Sequence, residues 1–171
     1  MTPDGLARPG HAPDMTSRSC VPECGTLPGL IELRAREAPS GPTFTDISDR
    51  GGDGASLSAS ALFERASACA AALQARAKPG SAILLVFPNE LDFVVWFMAC
   101  QLAGMIAVPA AAPRNRNGLA HLAALSKAAD ARITIVSTRL APVFRRFCDD
   151  GDIVGLAPVA SASALEADGA A

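Results

Sequence analysis

The chain has no surplus of charge of either sign. Its 171 residues carry 15 Lys and Arg against 17 Asp and Glu, a formal net charge of −2, and the basic residues form no block. Nucleic-acid binding draws on a concentrated positive field, so nucleic acid is excluded as a partner. Charged residues make up 19% of the chain and apolar ones 50%. That is too apolar for a wholly disordered polypeptide and enough for the core of one domain.

Cysteine is also sparse. The five thiols, Cys20, Cys24, Cys69, Cys100 and Cys148, are too scattered for a disulfide scaffold, and an odd number leaves one unpaired. Cys69, Cys100 and Cys148 lie in or beside apolar or helical runs, where a free thiol packs as a small hydrophobe. Cys20 and Cys24 form a C-x3-C pair with His11 upstream, but no second Cys or His pair follows at zinc spacing. No metal is expected, and the thiols read as reduced and cytoplasmic. Residues 1–28 hold five prolines and no apolar run, so they lack a secretory h-region. They are expected to form a disordered leader.

One segment tests the membrane question. Phe93–Ala112 is twenty residues with Gln101 as its only polar side chain, long enough to span a bilayer by hydropathy alone. Gly104 and Pro109 divide it into a helix-length and a strand-length piece. Buried elements of a parallel sheet are equally apolar, and that reading is preferred to a membrane span.

What is present is a repeating α/β pattern. Gly29–Ala38 reads as a short helix stopped by Pro39, and Thr43–Ser48 as an edge strand before the glycine turn Asp49–Ala55. A calcium loop there would have Gly51 and Ser60 at ligand positions, so the match fails. Ser58 or Ser60 can cap a helix whose Leu62, Phe63, Ala66, Cys69, Ala70 and Leu73 share one face. Then come the apolar strand Ile83–Phe87, the helix Leu91–Ala103, the strand Met105–Val108 closed by Pro109, a helix from Asn117, and the strand Ile133–Val136. This β-α-β-α-β order with short connections builds a parallel sheet by right-handed crossovers. A helix over Ala141–Cys148 and a fourth strand at Ile153-Val154 are expected next. Residues 157–171, rich in small side chains, show no core-forming pattern and read as a flexible tail.

Chemistry-bearing motifs are few. No G-x-G-x-x-G follows the first sheet strand, no G-x-x-x-x-G-K-[ST] occurs, and neither His11 nor His121 has triad-like neighbours. Asp149, Asp150 and Asp152 read as a solvated turn. Arg114 and Arg116 follow Pro113 beyond the carboxyl end of a strand, where open sheets bind ligands. They are the polar candidates for an anion contact, with a solvated loop as the competing reading.

The order of segments and several short motifs resemble a known family. Leu57-Ser58-Ala59-Ser60-Ala61-Leu62 stands where the family has an L-T-Y-x-E-L helix entry, without its Tyr and Glu. Phe93, Phe97, Cys100, Ala103 and Gly104 match an F-x-x-x-F-x-x-C-x-x-A-G helix, and Ala107–Arg114 stands where the family has A-V-P-A-x-P-P-R. On these residues the chain resembles the start of the acyl-adenylate-forming (AMP-binding) enzymes and is most similar to their fatty acyl-AMP ligase branch. The resemblance runs from about residue 28 to 170.

It implies an α/β fold, a partial doubly wound parallel sheet of the large adenylation subdomain, cut before the phosphate loop, with the domain portion over residues 29–156. It also implies that the complete enzyme uses ATP and Mg2+ to activate a fatty acid for transfer to an acyl carrier protein. The family's phosphate loop and catalytic lysine have no counterpart here. No catalytic residue, cofactor or metal is therefore expected of this chain alone, which reads either as a split product that needs a second chain for the rest of the domain or as a truncated relic. Phe93, Phe97 and Met98 are candidates for the acyl tunnel wall, with helix-to-sheet packing as the competing reading. A non-catalytic binding module built on the same half-domain is the alternative function, and a small membrane protein a third.

Overall fold

The computed structural model of the chain describes residues 24–47, 53–88, 90–149 and 155–169. The leader up to residue 23, most of the glycine turn, the acidic turn beyond Asp149 and the Ile153-Val154 strand lie outside the described residues.

The first helix, α1 (Leu27–Glu37), starts where Thr26 accepts a hydrogen bond from Gly29 N–H at 3.2 Å and Pro28 occupies the first turn. Arg34 and Arg36 in its last turn complement the helix dipole. An antiparallel ribbon follows, β1 (Pro42–Ile47) with β2 (Asp53–Ser58). Of the two expected caps, Ser58 is the one used: its Oγ accepts from Ala61 N–H at 3.2 Å and opens α2 (Ala59–Gln74). Ser60 instead donates to the Pro39 carbonyl at 2.8 Å, which ties α2 to the end of α1.

The second sheet comprises β3 (Ala82–Val86), β4 (Ile106–Ala110), β5 (Ala131–Val136) and β6 (Val159–Ser161), all parallel, in the order β4-β3-β5-β6. The helices between them are α3 (Leu91–Leu102), α4 (Arg116–Ala128) and α5 (Ala141–Asp149). Strand alternation divides the core. Ile83, Leu85 and Phe87 face one layer with α2 and α3, while Leu84 and Val86 face the other with Leu119, Leu122 and Phe144. Covering both faces is what the unbroken apolar run of β3 requires, and all five of its residues are buried. The expected doubly wound parallel sheet is present.

Gly104 ends α3 as expected. With φ +70° it takes the left-handed turn, its N–H donates to Gln101 O at 3.2 Å and Met105 N–H to Cys100 O at 2.8 Å. This is the paired-bond cap that a glycine at that position allows. No described helix is long and apolar enough to cross a membrane, so the apolar run is a buried helix plus a strand.

Three expectations need correction. The strand after α3 does not stop at Pro109 but runs to Ala110, because β4 is an edge strand and tolerates proline there. The fourth helix begins one residue earlier than Asn117: Asn115 Oδ1 accepts from Gly118 N–H at 2.9 Å and caps it. The described part of the expected tail, residues 157–169, holds a strand and a helix. Val159–Ser161 pair with β5, and α6 (Ala162–Gly169) packs on α2 with Ala162 and Leu165 buried. Two apolar contacts were too few to register as a pattern, yet α2 supplies a complementary face.

Candidate functional site

The strand order creates a switch point. From β3 the chain steps through α3 to β4 on one side, then crosses to β5 on the other. Ligands of open parallel sheets bind outside the carboxyl ends of the strands at such a point. Here Ser137 N–H donates to Val86 O at 3.1 Å, joining the ends of β5 and β3. The Ser137 side chain is fully buried and lies against the Glu90 carboxyl, at the start of α3. Glu90 Oε1 and Ser137 Oγ are both sealed from solvent, and neither makes a well-formed hydrogen bond among the described residues. Desolvation pushes the Glu90 carboxyl above its ordinary range. Ser137 pulls it back, Asp92 pushes it further up, and Arg139 pulls it down.

The sequence reading missed Glu90, Ser137 and Arg139. Both Glu90 and Ser137 follow closely on apolar strands, which was the available signal. Their adjacency depends on strand order, which no local pattern carries.

An apolar groove of about 270 Å³ lies beside this point, lined by Phe87, Pro88, Phe93, Pro109, Ala110 and Ala111. Phe93 is half-buried, with its ring centroid 6.3 Å from that of Phe87 and 6.0 Å from that of Phe97, both within the range of favourable tilted aromatic pairs. The three tunnel candidates therefore separate. Phe93 lines the groove, Phe97 stacks behind it against the core, and Met98 is sealed within the core at 3% exposure.

The two arginine candidates also separate. Arg114 is exposed beside a second groove of about 400 Å³, formed by the Pro109–Asn115 connection and the α4 residues Gly118, His121, Leu122 and Leu125. Arg116 sits in the first turn of α4, exposed, and does not line that groove. Gly118 lets α4 approach Pro113 closely on one side of this groove, because a Cβ there would come within 3.2 Å of Pro113.

Three further titratable groups serve packing. Arg65 on α2 donates to Glu166 at 2.8 Å and to Asp92 at 2.9 Å, and the Glu166 bond leads the interactions that hold its guanidinium charged. Burial pushes the thiols of Cys69 and Cys100 up to about 12, which makes them inert. The described residues include no group of three or more His, Cys, Asp or Glu that could hold a metal ion.

Residues 31–168 match the family model described as AMP-binding enzyme. The chain belongs to the AMP-binding enzymes. Within that family it is the N-terminal portion of the fatty acyl-AMP ligase branch, as its relatives and structural neighbours indicate. It is 36% identical over 93 residues to the putative fatty-acid–CoA ligase fadD25 of Mycobacterium tuberculosis, covering 53% of this chain and 16% of that one. It is 30% identical over 103 residues to Disco-interacting protein 2 of Drosophila melanogaster, covering 59% of this chain and 6% of that one. Its fold superimposes with TM-score 0.72 and 25% identity on a fatty acyl-adenylate ligase of L. pneumophila solved with acyl adenylate and pyrophosphate. That match covers 86% of this chain and 25% of the solved one. The chain thus spans about a quarter of the solved relative's length and 6–16% of these two curated ones.

Proposed function

We propose that this chain supplies the N-terminal quarter of a fatty acyl-AMP ligase, which joins a fatty acid to ATP as an acyl adenylate and passes the acyl group to a carrier protein. The observation that carries this reading is the match to an AMP-binding family model over residues 31–168, together with the likeness to a ligase solved with acyl adenylate and pyrophosphate. Relatives in the same group include a medium-chain-fatty-acid–[acyl-carrier-protein] ligase, which supports the carrier protein as acceptor. The reduced thiols suit a cytoplasmic reaction.

The part played by these residues is structural and apolar. Phe93, with Phe97 behind it, forms one wall of the space that receives the acyl chain, and Met98 supports that wall from the core. Arg114 and Arg116 place positive charge at the carboxyl edge of the sheet, where an anionic group approaches. In the complete enzyme ATP supplies the adenylyl group and Mg2+ would neutralise phosphate charge. No group of three or more His, Cys, Asp or Glu is assembled among the described residues, and no step through the metal is assigned to this chain. These residues carry no phosphate loop, and adenylation requires one supplied from outside them.

ATP–pyrophosphate exchange tests the proposal. The purified chain is expected to give no exchange with any fatty acid, and exchange is expected on co-expression with a polypeptide that carries the missing loop. In that complex Phe93→Ala should raise KM for the fatty acid more than it lowers kcat. Exchange supported by amino acids and not by fatty acids would overturn the substrate class. Robust exchange by the chain alone would overturn its incompleteness.

A further inference from the structure

The groove beside Phe93 does not end there. Pro109, Ala110 and Ala111 line both it and the second groove, which continues along α4 to Arg114 and His121. Strand alternation explains how the two join. Val108, Ala110 and Ala112 turn toward the α4 layer and Ala107 toward the α3 layer, so Pro109 and Ala111 fall on the side of Ala107. Side chains at the end of β4 are therefore short on both faces, and the hollows of about 270 and 400 Å³ meet around it. Between Phe93 and Arg114 the lining is proline and alanine, with no polar side chain.

The far end is basic and lacks a counter-charge. From Phe93 to Ala129 the sequence holds no Asp or Glu, while Arg114, Arg116 and Lys127 carry positive charge. The side chains of Arg114 and His121 form no ion pair or hydrogen bond among the described residues, and no carboxylate lines either groove. An unpaired guanidinium at the end of an apolar groove suits a planar monoanion, which it can hold through two parallel N–H bonds. The imidazole beside it adds a further donor. A phosphate dianion would call for a second strong cation, and the lining holds none.

We infer that the acyl substrate of this site is a long-chain dicarboxylic acid, its chain running from Phe93 over Ala110 and Ala111 and its ω-carboxylate held by Arg114 and His121. This rests on the ligase reading above and narrows it from fatty acids in general to those charged at both ends. The reacting end lies at the switch point beside Phe93. There an oxygen of the α-carboxylate attacks the α-phosphorus of ATP and pyrophosphate leaves, while the ω-carboxylate takes no part and keeps its charge. Chain length enters through geometry. Arg114 lies five residues beyond Pro109, a path on the order of 15 Å along extended backbone, so a short diacid does not bridge the two ends.

Calorimetric binding to the full chain, without ATP, tests this with matched pairs: hexanoate and hexanedioate, dodecanoate and dodecanedioate, hexadecanoate and hexadecanedioate. The longest diacid should bind about fivefold more tightly than its monoacid, the gain of one favourable exposed charge pair, and the shortest pair should not differ. Arg114→Gln should erase the preference, and Ala111→Leu, which narrows the passage between the grooves, should reduce it. Lys127→Gln, on α4 but outside the groove, should change nothing. No measurable binding of hexadecanedioate, or equal affinity within every pair, would overturn the inference. So would a diacid preference already present in the shortest pair, which is plain charge attraction. A loss in Arg114→Gln as large for hexadecanoate as for hexadecanedioate would give Arg114 to the reacting carboxylate and overturn it too. Each of these leaves the ligase reading standing, because that reading fails instead on exchange with fatty acids in the co-expressed pair.

Discussion

Arg65 Nε donates to Glu166 Oε1 at 2.8 Å across 101 positions of sequence. The same guanidinium reaches Asp92 at 2.9 Å, so one side chain on α2 holds the start of α3 and the last helix together. Both members of the Arg65–Glu166 pair are about a third exposed, at 34% and 32%, and solvent screening tempers the gain. Glu166→Gln should cost about 1 kcal/mol of global stability, within the range of well-placed surface pairs. Urea unfolding reads that loss, and amide exchange in α6 should quicken more than in β3.

Gly169 makes the close approach of α6 to α2 possible. A Cβ there would stand 2.2 Å from the Ala68 carbonyl oxygen, a backbone atom that cannot rotate away. Gly169→Ala should displace the end of α6 at a cost of about 1–3 kcal/mol. Loss of exchange protection around Leu165, with β3 still protected, is the expected signature. An unchanged exchange pattern would show that α6 tolerates the methyl group.

Glu90 gives the chain a pH dependence of definite sign. Burial raises its carboxyl above the unfolded value, so its contribution to stability is complete below the unfolded pKa and is lost as pH rises through the raised folded one. Glu90→Gln keeps the neutral shape and removes the titration. Urea midpoints measured across the weakly acidic range should fall with rising pH in the natural chain by more than in the variant. Superimposable profiles would exclude Glu90 as the source.

The buried thiols should resist modification. Cys69 and Cys100 are fully buried with thiols pushed up to about 12, so almost no thiolate exists at neutral pH. Cys24 is half-exposed. Brief treatment of the native chain with iodoacetamide, read by peptide mass spectrometry, should alkylate Cys24 and spare the other two. All three should react in denaturant.

Much of the architecture was legible because it rests on local periodicity. The apolar run Ile83–Phe87 announced a strand covered on both faces, and Gly104 with Pro109 cut the longest apolar segment into helix and strand. The Pro109–Arg114 connection carried the family resemblance. Less visible were features made by contacts between distant segments. Ala162 and Leu165 become core only because α2 offers them a face, and Met98 turns inward although its spacing from Phe93 and Phe97 did not separate it from them.

The sequence by itself determined the alternation of strands and helices, the near-neutral charge, and the family to which the chain belongs. Those properties follow from side-chain period, composition and short motifs, all local in the chain. Only the tertiary structure decided the strand order, and with it the meeting of Glu90 with Ser137. Strand order is set by which pairings bury the most apolar surface with right-handed crossovers, a property of the whole chain that no single segment encodes.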